Sequence, residues 1–253
     1  MKQKTLSLVQ APTQLIANVI LGLALYYFGR YYAAFLPVVI ALGFEAYRLG
    51  RQPAENWLEL LISDSSLWLV TLSTALLVAL LPRLVTQLVL VAALVGWRVW
   101  IELGTVRPIA QLAVAGITQF VTLWAIFLAQ SVWHWPTILV LGLVWGSCWM
   151  VTRFVLAAYD DAAVSVLAVT WGLIAAECGW VFSLWQVQYI LLNGWFIVPQ
   201  AAIVLTALGY CLGGIYISHR RSELSRSRLL EYLMIGLALL AIVIAGTKWN
   251  GVI

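Results

Sequence analysis

Long apolar runs, broken at short intervals by charged or turn-forming residues, organise this chain from end to end. Runs such as Leu76–Leu81 and Leu233–Ala245 are continuous, whereas a membrane barrel strand alternates apolar and polar residues over about 10 positions. The pattern therefore predicts helices. A spanning helix needs about 20 mainly apolar residues. Nine such segments are legible, at 13–29, 31–47, 65–82, 84–103, 108–129, 136–158, 162–184, 193–217 and 229–247. The expected fold class is all-α: a polytopic integral membrane bundle of about nine transmembrane helices, forming one transmembrane domain over residues 1–253. The first two segments are short and meet at Gly29-Arg30, which predicts a tight helical hairpin. Pro12, Pro108 and Pro136 stand at segment starts, where a missing N–H costs nothing. Pro37 and Pro199 fall inside segments two and eight, predicting kinks.

One stretch has a different pattern. In residues 53–63, Ala54, Trp57, Leu58 and Leu61 share a side at helical spacing, and Glu55, Glu59 and Ser63 lie away from them. This predicts a short amphipathic helix on the cytoplasmic surface.

Composition sharpens the class. Hydrophobic residues make up 64% of the 253 residues and charged residues 9%, against about 25% charged in an ordinary soluble domain. That excludes a water-soluble enzyme and a disordered chain. Nine spans leave too little chain for a soluble domain, and the loops are too short to bind nucleic acid. Cys148, Cys178 and Cys211 all sit in apolar runs without metal-ligand spacing, and read as packing residues. No cofactor and no metal site is expected.

Charge placement sets an orientation. With the N-terminus in the cytoplasm, nine spans leave only Arg30, Arg83 and Lys248 outside, and place every other Lys and Arg inside. The positive-inside rule therefore predicts N-in, C-out, with the bacterial inner membrane as the expected location. Trp133, Trp135, Trp185, Trp195 and Trp249 fall at the outer ends, as interface tryptophans do.

Glu177, flanked by Ala176 and Cys178 well inside segment seven, is the leading single candidate for chemistry. An ionisable residue in hydrocarbon is expensive and is by default a functional hypothesis. Gln200 lies at a matching depth on segment eight, and Gln119 and Thr122 at a comparable depth on segment five. Together they predict a substrate- or ion-binding site in which Glu177 takes a proton or cation. The alternative is interhelical hydrogen bonding. A second candidate is the cytoplasmic charged cluster of Arg153, Asp160 and Asp161, either a helix junction or a ligand or Mg²⁺ site. A third is the run from His219 to Arg228, where Arg220, Arg221, Arg226 and Arg228 either anchor the topology or contact anionic lipid. Glu45 with Arg48, and Arg98 with Glu102, read as two local structural pairs at i,i+3 and i,i+4. Gly142-x-x-x-Gly146 and Gly209-x-x-x-Gly213 read as helix-packing patterns.

The acids of the loops after spans two and six, Glu55 to Asp64 and Asp160-Asp161, give the layout a likeness to UbiA-type prenyltransferases. The likeness covers topology and loop position. The DxxxD pattern that holds magnesium and diphosphate in that family is absent, since Asp64 stands alone and Asp160-Asp161 has no following acid at that spacing.

Three functions fit these readings. The first is a small-solute or ion transporter or channel with a polar site around the intramembrane Glu. The second is a non-enzymatic subunit of a larger membrane complex. The third is a membrane enzyme acting on a lipid or prenyl substrate. The expected partners are the bilayer, anionic lipid, and other membrane subunits or a homo-oligomer.

Overall fold

A computed structural model of the chain describes residues 10–32, 35–52, 57–103, 108–156, 163–220 and 225–246. Among the described residues the apolar segments are helical apart from one small hairpin, and the chain is an all-α membrane protein. The helices are α1 (Gln10–Tyr31), α2 (Leu36–Gly50), α3 (Trp57–Ser63), α4 (Ser65–Leu80), α5 (Leu84–Leu103), α6 (Pro108–Trp133), α7 (Thr137–Leu156), α8 (Val164–Leu184), α9 (Gln200–Arg220) and α10 (Arg226–Gly246). Among the described residues, 5 helices are each long and apolar enough to cross a membrane, namely α5 to α9. The pair α3 and α4, bent by 68°, adds a sixth if counted as one span. Helix α2 has 15 residues, about 22 Å at 1.5 Å per residue, short of a 30 Å hydrocarbon core.

The chain divides into two compact units, Met1–Gln111 and Leu112–Ile253. In the first, α1, α2, α4 and α5 pack against one another, and α3 rests on α4. Leu21, Leu25, Ala41, Leu77, Val78 and Leu94 fill the interior. Gly22 lets α1 and α5 close up, because a Cβ there would lie 2.8 Å from Val95 Cγ2. Proline 82 ends α4 and cannot donate to the carbonyl of Val78. Gln87 replaces that lost bond from α5, its Nε2 donating to Val78 O and to Leu81 O, each at 3.0 Å. Helix α3 buries Ile62 and leaves Trp57 and Leu58 outward, as a helix lying in a membrane interface would. Residues 53–56 of the expected amphipathic helix lie outside the described residues.

In the second unit α7 pairs with α8, α8 with α9, and α9 with α10. Gly172 lets α8 sit on α7, where a Cβ would meet the backbone oxygen of Trp145 at 2.9 Å. The two glycine patterns part company. Gly209 and Gly213 do face α6, with added Cβ atoms 2.7 Å from Gln119 Oε1 and 3.1 Å from Leu112 Cδ1. Gly142 and Gly146 face open space, with nothing within 4 Å.

The expected span 193–217 begins too early. Its first residues belong to an antiparallel hairpin of β1 (Gln188–Leu191) and β2 (Phe196–Pro199), in which Gln188 pairs with Pro199 and Leu191 with Phe196. The turn between them carries three left-handed residues, Leu192, Asn193 and Gly194. Asn-Gly between β-branched and aromatic residues is a hairpin signal, and it outweighs the apolar character that suggested helix. The indole of Trp124 on α6 holds the hairpin, donating to Ile197 O at 2.7 Å. Pro199 is thus the last strand residue, and α9 starts after it. Pro37 lies in the first turn of α2. Neither proline sits in a helix interior, so the two expected kinks do not exist.

Candidate functional site

The first unit contains a buried cluster of charges at one end, where α1 and α4 begin and α2 and α5 finish. Arg98 on α5 is at its centre and is fully buried, at 0% exposure. Its Nε donates to Asn18 Oδ1 on α1 at 2.7 Å. Its Nη1 donates to Glu45 Oε1 on α2 and, at 2.7 Å, to Thr71 Oγ1 on α4. Its Nη2 donates to Glu102 Oε1, one turn along α5, at 3.1 Å. Asn18 Nδ2 closes a ring by donating to Glu102 Oε2 at 2.7 Å. The ring of Phe44 lies 5.0 Å from the guanidinium carbon. One side chain thereby ties four helices together.

A second guanidinium extends the cluster toward the surface. Arg48 Nε donates to Glu45 Oε2 and Arg48 Nη1 to Asp64 Oδ2, both at 2.7 Å. Gln52 Nε2 also donates to Asp64 Oδ2, at 3.0 Å. Asp64 stands between α3 and α4 and spends its carboxylate here rather than capping α4. Arg48 Nη2 is buried without a partner. The carboxylates of Glu45, Asp64 and Glu102 face the guanidiniums of Arg48 and Arg98. Among the described residues of the cluster, with every group ionised, one negative charge is left over. The side chains of Arg98 and Glu45 are 0% and 4% exposed, while Arg48 and Asp64 are 18% and 22% exposed, so the cluster runs from a wettable mouth to a dry end.

Beyond it, Ser73 and Thr74 of α4 are also buried. Leu21, Leu25, Leu77 and Val78 then seal the interior before Gln87 and Thr86 at the far end. Among the described residues, no three His, Cys, Asp or Glu are grouped to hold a metal ion.

The residues singled out around Glu177 are not assembled into one site. Buried positions Ala168, Trp171, Gly172, Ala175 and Gly179 mark the packed seam of α8. Glu177 is two residues from Ala175 and from Gly179, about 200° around the helix, and is exposed among Leu173, Ile174, Trp180 and Val181. Gln200 is buried, and its Nε2 donates to the Tyr189 hydroxyl at 3.1 Å. Gln119 is buried on α6, donating to Leu205 O at 3.3 Å and to Cys148 Sγ at 3.5 Å. The Thr122 hydroxyl donates to Thr118 O in its own helix, at 2.7 Å.

Of the cytoplasmic cluster, Arg153 Nη1 donates to Ser165 Oγ at 2.5 Å, and Asp160 and Asp161 lie outside the described residues. Arg220 Nε donates to the Tyr216 hydroxyl at 3.2 Å, and Arg226 is exposed at the start of α10. Arg221 and the side chain of Arg228 lie outside the described residues.

The Arg98 cluster joins the two charge pairs that sequence spacing kept apart. The signal was there in depth. Glu45 and Arg98 each lie five residues from the end of their helices, and Asn18 lies eight residues into α1. Comparison with known protein families, curated proteins and solved structures finds no match.

Proposed function

We propose that the chain is a transporter of a small solute coupled to protons, and that the coupling site is the Arg98 cluster rather than Glu177. The observation that carries this reading is the odd carboxylate: three acids and two guanidiniums joined among apolar helices, with Glu45 and Arg98 buried and Arg48, Asp64 and Glu102 half-buried. An unbalanced charge in hydrocarbon is costly, and intramembrane ionisable residues mark proton relays and substrate paths. One proton on the cluster removes the excess. Glu102 is the best placed to take it. Glu45 is gripped by both guanidiniums, whereas Glu102 meets one at 3.1 Å and an amide at 2.7 Å. Its carboxylate accepts from Asn18, so proton binding alters a contact between α1 and α5. That gives the proton a differential effect on two arrangements of the helices, as coupling requires. On the N-in orientation expected from charge placement, the mouth of the cluster opens on the cytoplasmic side.

The test is proton movement in proteoliposomes with a trapped pH dye and an imposed potassium diffusion potential. The expected result is protein-dependent acidification of the interior, lost in Glu102→Gln, which keeps the size while deleting the charge and one of the two acceptor oxygens. Acidification equal in Glu102→Gln and the parent would remove the cluster from that role. Traces equal to protein-free vesicles with each of a panel of small solutes added outside would end the proton-transport reading.

A second reading, a subunit of a membrane complex, is favoured by Glu177 itself. A carboxylate on the exposed apolar face of α8 is costly against lipid and calls for a neighbouring helix that donates to it. Intact mass of the complex in mild detergent tests this, with a stoichiometric second protein expected. A bare single chain would overturn it.

A further inference from the structure

The second unit holds a cavity of about 270 Å³ among α6, α7, α8 and α9. Its wall is almost wholly apolar, formed by residues such as Leu112, Val155, Leu167, Ile174 and Leu212. Along α6 the lining runs from Leu112 to Gln119, and along α9 from Gly209 to Tyr216. Each stretch is about 10 Å of helix at 1.5 Å per residue, or two thirds of a 15 Å leaflet of the hydrocarbon core. The deep end carries Gln119 and Trp171. The shallow end carries Leu156 and Tyr216, close to the termini of α7 and α9.

Two guanidiniums stand at that shallow end. Arg153 follows the lining residue Thr152 and reaches across to Ser165 at the start of α8. Arg220 is one turn beyond the lining residue Tyr216 and donates to its hydroxyl. An apolar slot two thirds of a leaflet deep, with two cations beside its shallow end, matches an amphiphile with part of one hydrocarbon chain inside and an anionic head outside. Guanidinium forks suit phosphate oxygens, and basic pockets between helices near the membrane surface bind lipid headgroups. Free phosphate would use the cations and leave the slot unfilled. A neutral lipid would fill the slot and leave the cations unused.

We propose that this cavity is a binding site for an anionic phospholipid, with one acyl chain between α6 and α9 and the phosphate on Arg153 and Arg220. Gly116 offers a way to block it, because a Cβ there meets nothing nearer than Tyr210 Cδ2 at 3.9 Å. Leucine at that position projects into the slot without a backbone clash.

The experiment uses the whole chain in nanodiscs doped with phosphatidylglycerol or phosphatidylcholine, each bearing a diazirine on one acyl chain. Cross-linked peptides are mapped by mass spectrometry. Phosphatidylglycerol is expected to label the Leu112–Gln119 and Gly209–Tyr216 stretches several-fold more than phosphatidylcholine. Arg153→Gln with Arg220→Gln should bring the two lipids to equal labelling. Gly116→Leu should lower labelling of both stretches about tenfold for either lipid. Should Gly116→Leu fail to fold, the double arginine variant still decides. Equal labelling by both lipids in the parent chain, or labelling that ignores the arginine variant, would overturn the proposal. Inorganic phosphate at millimolar concentration should not displace the label. If it does, the arginines are a plain anion site and the cavity has no share in it.

Discussion

The two units bury their polar groups in opposite ways. The first concentrates charge: Arg98, at 0% exposure, and Glu45, at 3%, lie inside a four-helix packing rich in leucine, valine and alanine. Among its described residues the second keeps charge out of its interior, where the polar groups are neutral. Gln119 and Gln200 each reach a neutral acceptor, and Thr118, Thr122 and Ser147 bond to carbonyls of their own helices. A buried ion pair gains little net stability, because desolvation offsets its attraction, but removing one partner is strongly destabilising. A buried neutral amide bond is worth about 0.5–1.5 kcal/mol either way. The first unit is therefore held in one arrangement by contacts among charged groups. The second can tolerate a cavity.

The widest difference should appear in Arg98→Leu. It leaves Glu45 with Arg48 alone and Glu102 with Asn18 alone, and removes the bonds by which Arg98 joins α5 to α1, α2 and α4. Breaking a buried pair costs about 3–5 kcal/mol, so thermal unfolding in detergent should fall sharply or the protein should fail to accumulate. Adding Glu45→Leu and Glu102→Leu should recover most of the loss, since an apolar replacement of a whole ionic group is often neutral or better. If Arg98→Leu alone leaves unfolding unchanged, the cluster is not what fixes the first unit.

Much of this contrast could be read from sequence, and some could not. The helices were legible because their apolar runs are long and uninterrupted. The hairpin at Gln188–Pro199 was missed because its residues are as apolar as a span, so hydropathy hides it; only Asn193-Gly194 marks the turn. Prolines 37 and 199 were misplaced for the same reason, since helix ends within apolar sequence carry little signal. Gln119 and Gln200 are buried polar groups, but the direction in which Glu177 points depends on which seam of α8 packs. That seam is set by Ala168, Ala175 and Gly179, small residues scattered among many others. The Arg98 cluster escaped because i,i+3 and i,i+4 spacing offered a local explanation for each pair, and a local explanation stops the search for partners 53 and 80 residues away.

A smaller effect is expected where close packing alone is at stake. Gly172→Val places a branched side chain against the Trp145 backbone, already 2.9 Å from an added Cβ. Overpacking of that kind costs about 1–3 kcal/mol, and the unfolding temperature should drop by less than in Arg98→Leu. Gln119→Leu comes next. It gives up the bonds to Leu205 O and Cys148 Sγ but is close in volume, so a loss of about 1 kcal/mol or less is expected. A larger loss in Gln119→Leu than in Arg98→Leu would reverse the comparison between the units.

The smallest expected effect is the one that sequence alone would have ranked first. Glu177→Gln removes a carboxylate from an exposed position on α8 that has no hydrogen bond within the described residues. Nothing inside the unit is lost, so unfolding of the isolated chain should stay within about 0.5 kcal/mol of the parent. Proton flux in proteoliposomes should be equally unaffected, because the coupling site proposed lies in the other unit. A donor on a neighbouring helix would make the same substitution visible elsewhere, as a weakened complex in mild detergent. The three readouts separate the possibilities. A flux defect with normal stability would return Glu177 to the coupling site. A loss of complex with normal flux would make it a contact residue. A fall in stability of the lone chain would mean that the carboxylate turns inward, against the packing of α8.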